Sequence, residues 1–310
     1  MLKYASLAAA ISIAAAAPAL AAESVTDFQL YVLGDLKMNG DQISRRAAVG
    51  GNATFTSTSI SGAGSSYDSS LVVGGNLNYL NGGSINGGAQ VGGANYAPGY
   101  MPVSAGLASL PVNFSVENLR LKNLSATLAT QAATGVTELK WGSNLFLTGS
   151  GPGLNVFTID AATLAQASVI QSNIAPGSQI LINVVGDVVS LKGGLTFADP
   201  SSVLWNFAGA SQITAGGLNL SGTVLAPNAA FFGNYGSITG DLVVGSFNGA
   251  ISLKGAGYGG DLLTPPAPPL PGGGVGAVPE PGVWALMILG FGAVGAMLRR
   301  RRGELASAAA

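Results

Sequence analysis

The chain has 310 residues, no cysteine, no histidine and a net charge of −1, which excludes a disulfide framework, thiolate or imidazole catalysis and any Cys- or His-ligated metal. Charged residues are only 9% of the chain and glycine contributes 47 residues, about double its usual share. Together with 48% apolar content, this excludes a disordered middle section and favours a β surface rich in tight turns.

At the N-terminus, Lys3 supplies a positive n-region, the run from Ala8 to Ala17 an apolar core, and Ala19-Leu20-Ala21 a small-x-small cleavage site. That run is too short to span a bilayer, so residues 1–22 are predicted to be a signal peptide cut after Ala21 or Ala22. Without cysteine, the exported chain must rely on packing and backbone hydrogen bonds.

The body, residues 23–263, carries eight basic and twelve acidic side chains. It lacks the clustered positive charge that phosphate binding needs, so no nucleic-acid partner is expected. One phrase recurs along it: Leu33-Gly34-Asp35, Val49-Gly50-Gly51-Asn52, Val72-Val73-Gly74-Gly75-Asn76, Val91-Gly92-Gly93, Val184-Val185-Gly186-Asp187 and Val243-Val244-Gly245. The first four recur at spacings of 16, 24 and 18 residues, which predicts a mainly β fold, a β-solenoid with one coil per phrase; a β-sandwich fits short strands too. Thr54, Thr56 and Thr58 alternate on one strand as in an ice-binding threonine ladder, but the pattern does not recur from coil to coil, so ordinary strand propensity is the reading taken. Gly50-Gly51-Asn52 lacks the Lys-Ser/Thr of a phosphate loop and is read as a turn.

A helix is predicted over about 115–134, capped by Ser115, with Val116, Leu119, Leu124 and Leu128 on one face and Gly135 as its stop. It would interrupt the coils and pack along their side or cap them. A second, short helix is predicted to begin at Asp160. The acids Asp35, Asp41, Asp187, Asp199 and Asp241 stand singly and are read as turn caps, so no catalytic residue, cofactor site or metal site is assigned. Tyr67, Tyr79, Tyr96, Tyr100, Tyr235 and Tyr258 lie near glycines; exposed, they would suit carbohydrate stacking, but packing at turns is the assignment made.

Residues 264–277 form a Pro/Gly-rich linker, extended and semi-rigid. Then come Val278, Pro279, Glu280 and Pro281, an apolar run 283–298 beginning near Trp284, the basic block Arg299, Arg300, Arg301 and Arg302, and a tail 303–310. The run reads as a transmembrane helix with the arginines held in the cytoplasm as a stop signal.

Residues 278–302 resemble the PEP-CTERM sorting signal of Gram-negative bacteria. The resemblance implies recognition at Pro279, Glu280 and Pro281 by an exosortase, transient anchoring in the inner membrane, and delivery to the cell surface or an exopolysaccharide matrix. Segments such as Tyr31-Val32-Leu33-Gly34-Asp35-Leu36, Arg46 to Ala53, Leu181 to Asp187, Val203 to Phe207 and Gly222 to Ala229 resemble the choice-of-anchor A domain. That resemblance, over residues 27–256, implies a β-helix-like adhesive domain. The expected function is a non-enzymatic structural or adhesive surface protein; a carbohydrate-binding module acting on exopolysaccharide is the alternative, followed by an ice-binding protein or a polysaccharide-active enzyme.

Overall fold

The computed structural model describes residues 23–62 and 69–265. The predicted signal peptide, the sorting segment with its apolar run 283–298 and arginine block, and nearly all of the linker lie outside the described residues. The described fold is that of the unit Met1–Thr264.

Among the described residues, twenty strands join one sheet, and every pairing but one is parallel. The exception is the hairpin Val136–Lys140 with Asn144–Thr148. Successive circuits of the chain add strands to as many as three ladders. The first ladder runs through Leu154–Asp160, Gln179–Val185, Val203–Asn206, the starts of Thr223–Thr239 and Leu242–Lys254, then Leu30–Val32, Ala47–Val49, Leu71–Val73, Ala89–Val91 and Val103–Ser104. The N-terminal coils therefore stack on the last C-terminal coil, with Leu30, Tyr31 and Val32 in register with Leu242, Val243 and Val244. The segment between them in sequence must carry the chain to the far end of the stack, and it contains the helix α1, Phe114–Ala129.

The second ladder joins Val188–Leu195, Gln212–Ser221, the middles of the two long strands, Leu36–Asn39, Ala53–Ile60, Leu77–Ile85 and Asn95–Tyr96. The third stacks aliphatic residues inward: Leu195, Leu220, Ile238, Leu253, Ile43, Ile60 and Ile85 are in successive register and all buried. Aromatic stacks on the inner side of the second ladder, Phe231 on Phe247 at 5.7 Å and Phe55 on Tyr79 at 5.2 Å between ring centroids, fill the wider part of the core.

The recurring glycines sit where the first ladder turns into the second. Gly34, Gly51, Gly75 and Gly93 donate in turn to the carbonyls of Gly245, Gly34, Gly51 and Gly75 at 2.8–2.9 Å. A Cβ on Gly50 would lie 2.3 Å from the Leu33 carbonyl oxygen, and one on Gly74 2.3 Å from that of Gly50. No side chain fits while the coils keep their parallel spacing of ~4.8 Å. The polar residue closing each phrase ties the coils together: Asp35 Oδ1 accepts from Asn52 N at 2.7 Å, Asn52 Oδ1 from Asn76 N at 3.0 Å, and Asn76 Oδ1 from Ala94 N at 2.8 Å.

First-ladder strands are buried on both faces, hence their unbroken apolar runs. One face feeds the interior. The other packs Tyr31, Ala48, Val72, Leu181, Leu204, Leu225 and Val243 beneath α1 and the segment ending at Leu263. The helix starts one residue before the predicted position and stops at Ala129; its cap is Asn113, whose side chain accepts from Val116 N at 3.2 Å, not Ser115. Its buried stripe is Glu117, Leu121, Ser125 and Leu128, while Val116 and Leu119 are 62% and 61% exposed. Of the predicted face, Leu128 is buried and Leu124 packs against the covered cluster; the stripe is shifted because two of the buried positions are polar and satisfied. Ser125 Oγ donates to Asn206 Oδ1 at 2.5 Å, and Asn206 Nδ2 donates to the Ser125 carbonyl at 2.9 Å and to Asn183 Oδ1 at 2.8 Å. Asn183 Nδ2 in turn satisfies the Leu128 carbonyl near the helix end at 2.9 Å. The second helix, α2, spans Ala161–Gln166 with Asp160 as its N-cap, accepting from Thr163 N at 2.8 Å; the cap bonds hold the Asp160 carboxyl below the usual carboxylate range.

Candidate binding face

α1 and the C-terminal segment cover the outside of the first ladder; the outside of the second ladder is open. Its strands alternate buried and exposed residues, as in Leu36–Asn39 and Gln212–Gly216. Parallel, nearly in-register pairing turns that alternation into rows across the strands. The central row reads Ser190, Thr214, Phe232, Asn248, Lys37, Thr54, Asn78 and Tyr96. A shallow depression of about 360 Å³ lies on this face, lined among others by Asp35, Lys37, Asn52, Thr54, Phe232 and Asn248. Phe232 is 38% and Tyr96 66% exposed, and Lys37 has no acid within ion-pair distance among the described residues.

The threonine alternation ends at Ser57, which takes a left-handed φ of 52°. Thr54 and Thr56 stay on the open face while Thr58 is buried, its hydroxyl donating to the Gly40 carbonyl at 3.1 Å. In register with Thr54 stand Lys37 and Asn78, so no threonine ladder forms.

The remaining sequence candidates are scattered. Asp35 and Asp199 accept backbone N–H groups as turn acids do; Asp41, at φ 69°, accepts from Ser252 Oγ at 3.3 Å; Asp187 contributes its backbone carbonyl to Ser211 and Gln212. Asp241 departs from the turn-cap reading. It is buried against Arg45 at 3.1 Å, and desolvation pushes its carboxyl up to about 7 despite the Arg45 charge. Among the described residues no group of acids is arranged to hold a metal. Tyr79 is buried, its hydroxyl donating to the Thr58 carbonyl and its pKa raised by burial; Tyr258 is half-buried with its phenol pushed up to about 12, chiefly by burial. Tyr96, Tyr100 and Tyr235 are exposed instead of packed at turns, and Tyr67 lies outside the described residues. Trp141, which the sequence reading did not single out, is 78% exposed on the hairpin turn at φ 51°. The Gly142 after it was the available signal, since paired positive-φ residues mark a hairpin turn.

Two segments meet on α1. Glu117 accepts from Val25 N at 2.8 Å and from the Arg120 guanidinium at 2.7 Å, and Arg120 Nη1 donates to the Leu263 carbonyl at 3.2 Å. The beginning and the end of the described body are thus fastened to the covered face, and the open face lies on another side of the stack.

Residues 21–254 match a family model described as "Putative Ice-binding-like adhesive domain". The chain belongs to this family. Beyond the ice-binding-like adhesive domain, residues 277–302 match the PEP-CTERM protein-sorting motif, covering Val278 to Pro281 and Arg299 to Arg302; the pairing marks an exported surface protein and implies exosortase processing. A search of curated proteins finds no match. Among solved structures, the domain is similar to a crystal structure of an ice binding protein from an Antarctic biological consortium, at 16% identity over 81% of this chain and 95% of that chain, with a TM-score of 0.33, too low to carry over fold or ligand. Among the described residues no helix is long and apolar enough to cross a membrane; the run 283–298 is not among them.

Proposed function

We propose that this is a structural or adhesive protein of the cell surface or extracellular matrix, exported under a signal peptide cut at Ala21 or Ala22 and sorted at Val278–Pro281 by an exosortase. The pairing of an ice-binding-like adhesive domain with a sorting motif in one chain carries this reading. The body, residues 23–263, is a β-solenoid of the choice-of-anchor A kind, presented on the linker 264–277. The run 283–298 anchors it transiently in the inner membrane of a Gram-negative cell, with Arg299 to Arg302 as the cytoplasmic stop. Fastening of Val25 and Leu263 to α1 supports it, since both ends of the body are held on a face that is already covered.

An ice-binding role is disfavoured by the central row, which mixes a cation, two aromatics, amides and hydroxyls where a repeating array would be needed. A polysaccharide-cleaving role requires two carboxyl groups about 5–9.5 Å apart on one cleft, and Asp35 alone among the acids lines the depression. Replacing Pro279, Glu280 and Pro281 by alanine tests the proposal: surface labelling of intact cells should be lost while the protein accumulates in the inner-membrane fraction. Unchanged display would refute it.

A further inference from the structure

We propose that the central row of the open face binds a linear, carboxylate-bearing polysaccharide lying along the stacking axis; the inference rests on the surface reading above and names its ligand class. Every strand beneath the row from Thr214 to Asn78 is hydrogen-bonded on both sides, so no free backbone is offered to an added peptide strand and a ligand must be read by side chains alone. The row has little apolar area for an amphipathic helix. What it does offer is periodic: one outward side chain every ~4.8 Å, close to the step by which an extended chain of linked hexoses advances per sugar.

Phe232 and Tyr96 stand five strand intervals apart, about 24 Å, and give ring faces on which sugar rings can stack. Between them Asn248, Lys37, Thr54 and Asn78 present amide, ammonium and hydroxyl donors in register. Lys37, near the middle, fixes the sign of the ligand. It has no acid in ion-pair contact among the described residues; the Asp35 carboxylate, at the corner of the same depression, turns Oδ1 to Asn52 N and by repulsion confines an anionic group to the Lys37 side. An uncommitted cation flanked by hydroxyl and amide donors matches a sugar carboxylate with neighbouring hydroxyls.

The test uses cells displaying the full chain, with display scored by antibody on intact cells, and measures retention on beads carrying alginate, a polyuronate, or neutral dextran. Alginate should retain the cells, less so as salt rises, and dextran should not. Lys37→Ala should lower retention about tenfold at equal display, the size expected for one charge-assisted hydrogen bond, with Lys37→Arg restoring most of it; Phe232→Ala and Tyr96→Ala should also weaken it. Trp141→Ala, on a different ladder, should leave it unchanged. Displayed protein that ignores alginate, or a Lys37→Ala variant retained like the parent, overturns the glycan site and leaves the surface reading standing. Absence of display overturns the surface reading and this site with it.

Discussion

Gly74→Ala tests the corner geometry on which the stacking of coils depends. The new Cβ would lie 2.3 Å from the Gly50 carbonyl oxygen and 3.3 Å from Phe114 Cδ2, so the two coils must part by roughly 1 Å to restore ordinary contact. They are joined at that spot by Gly74 N to Val49 O at 2.8 Å and Gly75 N to Gly51 O at 2.9 Å. Overpacking costs ~1–3 kcal/mol and a weakened backbone bond about 1 kcal/mol more, giving ~2–4 kcal/mol in all. At ~2–4 °C per kcal/mol for a domain of this size, the thermal midpoint should fall by about 5–15 °C. The control is Gly99→Ala, where no heavy atom lies within 4 Å and φ is not positive; it should be neutral or stabilising by up to ~1 kcal/mol. Thermal unfolding of both variants, followed by circular dichroism, decides the matter. Midpoints for the two within a degree of each other would refute close coil contact as the reason for these glycines.

Three further outcomes follow from buried polar groups and one strained residue. Asp241 has a folded-state pKa of about 7 against an ordinary 3.8; because it is raised, its protonated form favours folding, fully below pH ~4, and that contribution fades as pH rises to about 7, by up to ~4 kcal/mol. Asp241→Asn should therefore flatten the pH dependence of urea midpoints between pH 4 and 7 and be the more stable protein at pH 8, whereas a variant as pH-sensitive as the parent would contradict the assignment. Asn206→Ala removes a side chain that bonds α1 and Asn183, and should cost ~2–3 kcal/mol in urea unfolding with faster amide exchange in α1. Ser57→Gly relieves a left-handed φ of 52° at an exposed register shift within Ala53–Ile60 but removes the Ser57 hydroxyl's bond to the Asn81 carbonyl at 2.8 Å; the two effects are each about 1 kcal/mol and opposed, so its urea midpoint should stay close to the parent's.

The coil corners were legible because they are local. A Val-Gly-Gly-Asn phrase states both the absence of room for Cβ and the polar ladder beside it, and Asp160 announces its helix through its cap. The order of coils was not legible, since Leu30–Val32 and Ala47–Val49 carry the same aliphatic character as Val243-Val244 and nothing in such strands names a parallel neighbour. The buried face of α1 was hidden by Glu117 and Ser125, whose burial depends on Val25 and Asn206 arriving from distant parts of the chain, with Arg120 one turn along the helix completing the partners of Glu117. The open face was hidden for a related reason. Phe232, Asn248, Lys37 and Thr54 form a row only through pairing between strands up to about 200 residues apart, and an isolated Lys or Phe in sequence carries no such sign.

Sorting by an exosortase is read from the intact mass and fractionation of the protein from its native host, with and without that enzyme. A mature species beginning near Ala22 and ending near Pro281 is expected outside the inner membrane only when the enzyme is present. An uncut C-terminus retained in the inner membrane of both strains would contradict it.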